Sequence, residues 1–204
     1  MKSLDYYFWL NSDWAYLGAA RLEQIAARHH AQVRYKPVDL LDVYARTGGI
    51  PLPRRSLQRQ AYRKQELRRW MARLGMHIHI TPKYMCPDAS LASCFTIAAD
   101  HLQLPVAALH REILAAQWCH EQDISDASVL LRISARLGLP GPELLARAGD
   151  PAVRGRYRQY TDEAVAAGVF GSPSYVLDGE IFWGQDRLEF LEAALAPKPA
   201  HGQP

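Results

Sequence analysis

The sequence predicts an α/β fold in which a small sheet is interrupted by a large all-helical insertion. An aromatic run at residues 6–10 (YYFWL) is followed by a helical pattern and then by a second apolar run at residues 32–38. Strand character almost vanishes between residues 40 and 170, while helical periodicity recurs in several segments. It returns after Gly168 as two apolar runs separated by Asp178 and Gly179, the strongest short hairpin signal in the chain.

Taken in order, residues 6–10 are almost wholly apolar, as suits a strand buried on both faces of an α/β sheet. The run ends at Asn11, Ser12 and Asp13, all helix N-capping types, and Leu17, Ala20, Ile25 and Ala26 carry a helix to about His29. Val33, Tyr35 and Val38 mark a second strand, which arrives after a helix and is expected to run parallel to the first. Inside the insertion, residues 56–74 form a helix that stops before Gly75, and Leu91, Cys94, Phe95, Ala98 and Leu102 mark the buried face of another. A third helix spans residues 106–117 after Pro105, Asp126 caps a fourth that ends near Gly138, and a short helical turn follows Pro142. Asp150 and Pro151 then give an N-cap and a proline at the first helical position of the last inserted helix. A hairpin and a helix over residues 185–195 close the sheet. The expected units are residues 1–40 with 169–196, an insertion at 41–168, and a flexible tail at 197–204.

Composition narrows the function classes. A chain of 204 residues is long enough to bury a core as one unit. The net charge of +3 is concentrated at residues 54–73, where Arg54, Arg55, Arg59, Arg63, Lys64, Arg68, Arg69 and Arg73 face one acid, Glu66. This reads as a solvated helix face; aromatics are not interleaved as base stacking requires, so no nucleic-acid partner is expected. Cys86, Cys94 and Cys119 form no C-x-x-C pair and read as buried small hydrophobes. His77 and His79 alternate with Ile78 and Ile80 and share a face, but no third ligand is near and no metal site is expected. The first residues lack a secretory apolar region and no stretch approaches spanning length, so the expectation is a cytoplasmic protein without a membrane partner.

Strand, helix, strand, a helical block, then a proline-led hairpin and a helix is the thioredoxin order, with the block inserted in the middle. In that order two loops meet. One is the turn through Ser12 into the first helix, whose free N–H groups and dipole favour negative charge. The other is Gly171, Ser172 and Pro173, where a cis peptide at Ser172-Pro173 would explain a proline leading into a strand.

Residues 6–18 (YYFWLNSDWAYLG), 33–40 (VRYKPVDL), 48–62 and above all 168–188 (GVFGSPSYVLDGEIFWGQDRL) resemble the 2-hydroxychromene-2-carboxylate isomerases. These are relatives of the kappa-class glutathione transferases in the DsbA-like thioredoxin branch. The resemblance implies a glutathione-dependent isomerase, generally a homodimer, acting on a small aromatic substrate. It implies that Ser12, where redox relatives keep cysteine, donates a hydrogen bond to the glutathione sulfur, and a helix N-terminus would help stabilise a thiolate there. Ser172 and Pro173 would hold the cysteinyl backbone like an added strand. Gln185 and Asp186 match residues that hold the γ-glutamyl end, and Arg59 matches a basic residue that approaches the ligand's carboxylates. Lys36 and Trp14 are candidates for the substrate's carboxylate and ring.

Two positions depart from the pattern. Asp13 stands where relatives usually have proline, an acid that opposes thiol ionisation while complementing the helix N-terminus. Gly49 stands where kappa-class relatives offer asparagine. Two other readings remain open: a kappa-like transferase or peroxidase, and a non-catalytic binding module on a thioredoxin scaffold.

Overall fold

A computed structural model of the chain describes residues 1–196, so the expected tail at 197–204 lies outside the described residues. Strand β1 (Ser3–Phe8) begins earlier than the aromatic run suggests and stops before Trp9, whose carbonyl accepts from the Ser12 N–H at 2.9 Å. That bond closes the turn into helix α1 (Asp13–Arg28), which leads to strand β2 (Gln32–Pro37). As expected from a β-α-β unit, β2 is parallel to β1, with Tyr6 opposite Tyr35.

Helix α2 (Leu40–Thr47) is absent from the sequence reading, because its eight residues offer barely two turns of periodicity. Its signal lies in its ends: Asp39 accepts from the Leu41 and Asp42 N–H groups, and Gly48 takes φ +82° at the C-cap. A 3-10 turn (Leu52–Arg54) leads to α3 (Leu57–Leu74), which ends at Gly75 as predicted and is capped by Ser56. Helices α4 (Ser90–His101), α5 (Val106–Trp118), α6 (Ala127–Arg136), α7 (Gly141–Ala148) and α8 (Pro151–Ala166) complete the insertion. The chain then re-enters the sheet as β3 (Ser174–Leu177) and β4 (Glu180–Trp183), antiparallel across Asp178 and Gly179. The closing helix starts as a 3-10 turn (Gln185–Arg187) and becomes α9 (Leu188–Leu195).

The sheet order is β2-β1-β3-β4, with β3 antiparallel to β1, which is the thioredoxin-like arrangement with a helical insertion. Sheet and insertion share one hydrophobic cluster. It joins Leu4, Tyr6, Phe8 and Tyr175 of the strands to Phe95, Ile113 and Trp118 of the inserted helices. At that junction the His110 ring of α5 meets Phe8 edge-on at 4.5 Å, and its Nε2 lies 3.3 Å from the Tyr6 hydroxyl. Burial, reinforced by the Arg111 charge, pushes the His110 pKa down to about 3, so the ring is neutral.

One smaller expectation is corrected. Of the cysteines only Cys94 is buried; Cys119 is half-buried, and Cys86 is exposed at φ +57°. His77 and His79 lie outside any strand, their rings edge-to-face at 5.7 Å. Among the described residues no helix is long and apolar enough to cross a membrane.

Candidate functional site

The N-terminus of α1 opens onto a cavity of about 560 Å³ between the sheet end and the inserted helices. Ser12, Asp13 and Trp14 border it from α1, Ser172 from the hairpin loop, Tyr44 from α2, Arg63 from α3, and Met85 to Asp88 from the segment before α4. Rings of Trp9, Trp14, Tyr44, Trp118 and Tyr157 give it the largely apolar, aromatic wall of a small-molecule site.

Ser12 joins the two loops. Its Oγ accepts from the Ala15 N–H at 3.2 Å, capping α1, and donates to the Ser172 carbonyl at 3.3 Å. The Ser172 Oγ in turn accepts from the Trp9 N–H at 2.8 Å, so both serine hydroxyls tie β1's end to the hairpin loop. The Ser172-Pro173 peptide is cis. Among the described residues the Ser172 N–H makes no backbone hydrogen bond, which leaves a donor at the cavity wall for an extended ligand backbone. Gly171 is demanded by packing: a Cβ there would sit 2.3 Å from the Trp183 indole nitrogen.

Asp13 is 5% exposed and does not stand alone. One carboxylate oxygen accepts from the Trp14 N–H at 2.8 Å, and the other is paired with the Arg63 guanidinium of α3. Arg63 also lies over the Trp118 ring, 6.0 Å from its centroid. Burial raises the Asp13 pKa; Arg63, the Trp14 N–H and more distantly Arg55 pull against it without cancelling it. Cys86, although exposed as a residue, borders the cavity too, and partial desolvation of its thiol at that wall, together with the Asp13 charge, raises its pKa against the pull of Arg63.

The cavity's second cation is Arg55, whose partners are neutral: the Ile50 carbonyl at 2.8 Å and the Tyr44 hydroxyl at 3.2 Å. Gly49 is explained by the same packing. A Cβ at Gly49 would fall 2.0 Å from the Tyr44 ring, so an asparagine here would displace the phenol that orients Arg55.

The other sequence candidates fall outside the cavity lining. Arg59, one turn before Arg63 on α3, is exposed in solvent and borders no part of the cavity; Arg55 and Arg63 stand in its place. Lys36 is held away by Glu163 at 2.7 Å and Asp5 at 3.2 Å, because strand alternation turns it toward α8. Gln185 is buried, and its side-chain and backbone oxygens both accept from Arg21. Asp186 is half exposed and pairs with Arg187 at 3.0 Å. Both follow the cis-proline hairpin, and Gln185 packs where a Cβ on Gly18 would come within 2.9 Å of it. Gly18 is six residues along α1 from Ser12, about 9 Å by helical rise. Arg55, Arg63 and Tyr44 were not singled out from sequence, since a basic run gives no sign of which members turn inward.

The profile of the DSBA-like thioredoxin domain matches residues 3–196, and the chain belongs to that family. The chain is 29% identical over 195 residues to a 2-hydroxychromene-2-carboxylate isomerase of Sphingobium xenophagum, covering 95% of this chain and 98% of that protein. It is 23% identical to human (Homo sapiens) glutathione S-transferase kappa 1, covering 97% and 92% of the two chains. A solved structure of 2-hydroxychromene-2-carboxylate isomerase superposes with a TM-score of 0.81 at 26% identity, covering 95% of this chain and 94% of that one.

Proposed function

We propose that this DSBA-like thioredoxin-family chain is a glutathione-dependent isomerase acting on 2-hydroxychromene-2-carboxylate or a similar ring-opened aromatic acid. The observation that carries the reading is Ser12: a hydroxyl at a helix N-terminus, facing a cis-proline loop across an aromatic cavity, in a chain with no thiol at that position. The similarity to proteins named as 2-hydroxychromene-2-carboxylate isomerases supports the same choice.

The residues present fit glutathione. The Ser172 N–H would pair with the cysteinyl backbone, and the Asp186 carboxylate would receive the ammonium group at the far end of the ligand. When bound, glutathione would supply a thiolate able to add reversibly to a conjugated enone, allowing rotation about the transient single bond before it leaves. The chain's own work is then to hold the sulfur and the substrate. Ser12 Oγ can turn its proton from the Ser172 carbonyl to the sulfur while still accepting from Ala15, and the first N–H groups of α1 add positive potential. Arg55, whose hydrogen-bond partners among the described residues are neutral, would meet the substrate's carboxylate, and Trp14 and Trp118 would flank its ring. A homodimer in the cytoplasm is part of this reading.

Incubation with 2-hydroxychromene-2-carboxylate and glutathione tests it: formation of the trans-benzylidene pyruvate, dependent on glutathione that is recovered unchanged, is the expected result. The similarity to a kappa-class transferase favours one rival, and accumulation of a glutathione conjugate or of oxidised glutathione would establish that instead. Absence of glutathione binding at millimolar concentration would leave a non-catalytic module.

A further inference from the structure

Asp13 needs an account that neither the fold nor the ligand fit supplies. At the first position of a helix a proline costs nothing, since the N–H it lacks is unpaired anyway. Here that position carries a carboxylate sunk to 5% exposure, matched by an arginine reaching across from α3 whose side chain is 10% exposed. Buried ion pairs are seldom a gain over apolar packing, because both partners must be desolvated. The pair also sits at the cavity wall beside Ser12, where the proposed mechanism needs a thiol to lose its proton.

We propose that Asp13 is the acceptor of that proton, and that the Asp13–Arg63 pair is the acid–base group of the reaction, a reading that rests on glutathione being the ligand. The step is balanced within the site. The thiol proton passes to a carboxylate oxygen of Asp13, the sulfur becomes a thiolate, and Arg63, released from its anion, acquires the thiolate as a new one. One cation and one anion are present before and after, so the buried site is never asked to hold an uncompensated charge. Return of the proton when the thiol leaves restores the original pair.

The surroundings suit a carboxylate that changes state. Burial already favours its protonated form, while Arg63 and the Trp14 N–H keep the ionised form accessible. The other groups facing it are Arg55 from the turn before α3, whose charge favours the ionised carboxylate, and Tyr44 from α2 and Cys86 from the segment before α4, whose own ionisation the Asp13 charge opposes. The acids elsewhere on the wall are committed: Asp39 caps α2, and Asp88 accepts from the Ser90 N–H at 2.9 Å. Asp13 is therefore the carboxylate placed to exchange a proton with a ligand at Ser12.

The test counts protons. Glutathione is titrated into the whole protein by calorimetry in buffers of different ionisation enthalpy, while ultraviolet absorbance follows thiolate formation in the same samples. Thiolate formation with no net release of protons to buffer is the expected result for the wild type. Asp13→Asn should either release one proton for each thiolate formed or fail to form it, with binding retained. One proton released per thiolate by the wild type would overturn the proposal without touching the glutathione reading, and so would binding that leaves the thiol protonated. Absence of binding would remove the glutathione reading itself and the proposal with it. The wild-type measurement decides the matter even if the variant fails to fold.

Discussion

Ser12→Ala separates the structural from the chemical work of a single hydroxyl. Two bonds go. The cap on Ala15 is worth about 1 kcal/mol against alanine. The bond to the Ser172 carbonyl adds about 1 kcal/mol, since it lies in a buried setting where its acceptor gains no water in exchange. Together these come to about 2 kcal/mol, and at about 2–4 °C per kcal/mol for a chain of this length the melting temperature should fall by about 4–8 °C. Ser12→Gly gives the contrast, because glycine caps nearly as well as serine and should recover about half of the loss. Neither variant can donate to a ligand sulfur. Both should therefore raise the thiol pKa of bound glutathione equally, though they differ in stability, and melting curves beside thiolate absorbance against pH read the two effects apart. A Ser12→Ala protein that melts within about 1 °C of wild type, with an unaltered thiol pKa, would refute both assignments.

Four further outcomes follow from the packing and the buried charges. Arg63→Met, which keeps the apolar stem, should cost about 3–5 kcal/mol in urea denaturation near neutral pH by leaving Asp13 buried and unpaired; Asp13→Asn combined with it should recover most of that. Because burial raises the folded pKa of Asp13, its contribution to stability is greatest below the ordinary carboxylate range and declines as pH rises to the folded value, a slope that Asp13→Asn should abolish. His110 acts in the opposite sense: its pKa is lowered to about 3 from 6.5, so the unfolded chain takes up a proton first, and stability on the order of 5 kcal/mol is lost between those values as pH falls. Replacing it with phenylalanine should flatten that loss in acid titrations of the unfolding free energy. Gly171→Ala places a methyl against the Trp183 indole and should cost about 1–3 kcal/mol with a shift in tryptophan fluorescence, whereas an unchanged melting point would show that the loop gives way freely.

Much of the fold is legible in the sequence because its boundaries are chemical. Ser12 and Asp126 cap the helices they were expected to cap, Ser56, read as the first residue of α3, caps it instead, Gly75 ends α3, and Asp178 and Gly179 turn the hairpin. Other segments are harder. Helix α2 is too short for its period to register, and residues 169–173 look strand-like although pairing starts only at Ser174. The loops of the site are legible for the same reason as the caps: Ser12 and Pro173 are residues whose backbone roles are visible in one dimension.

The charges of the site obey a different logic. A helix in a basic run announces its solvated face, and on that reading Arg63 is as exposed as Arg59 four residues before it. What draws Arg63 inward is Asp13, 50 residues away, together with the Trp118 ring of α5, and neither partner is implied by anything local to α3. The converse holds as well. Asp13 taken alone is an acid that should oppose a thiolate; with Arg63 attached it becomes half of a neutral pair that can trade one anion for another. The sign of its effect on the chemistry therefore depends on a contact that only the folded chain makes, and reversing the pair tests this directly. Asp13→Arg with Arg63→Asp preserves the ion pair but places the cation at the helix N-terminus, where the dipole disfavours it by up to about 1 kcal/mol. Such a protein should fold, lose that much stability in urea, and bind glutathione with release of a proton to solvent, because the carboxylate has been moved from beside Ser12 to α3.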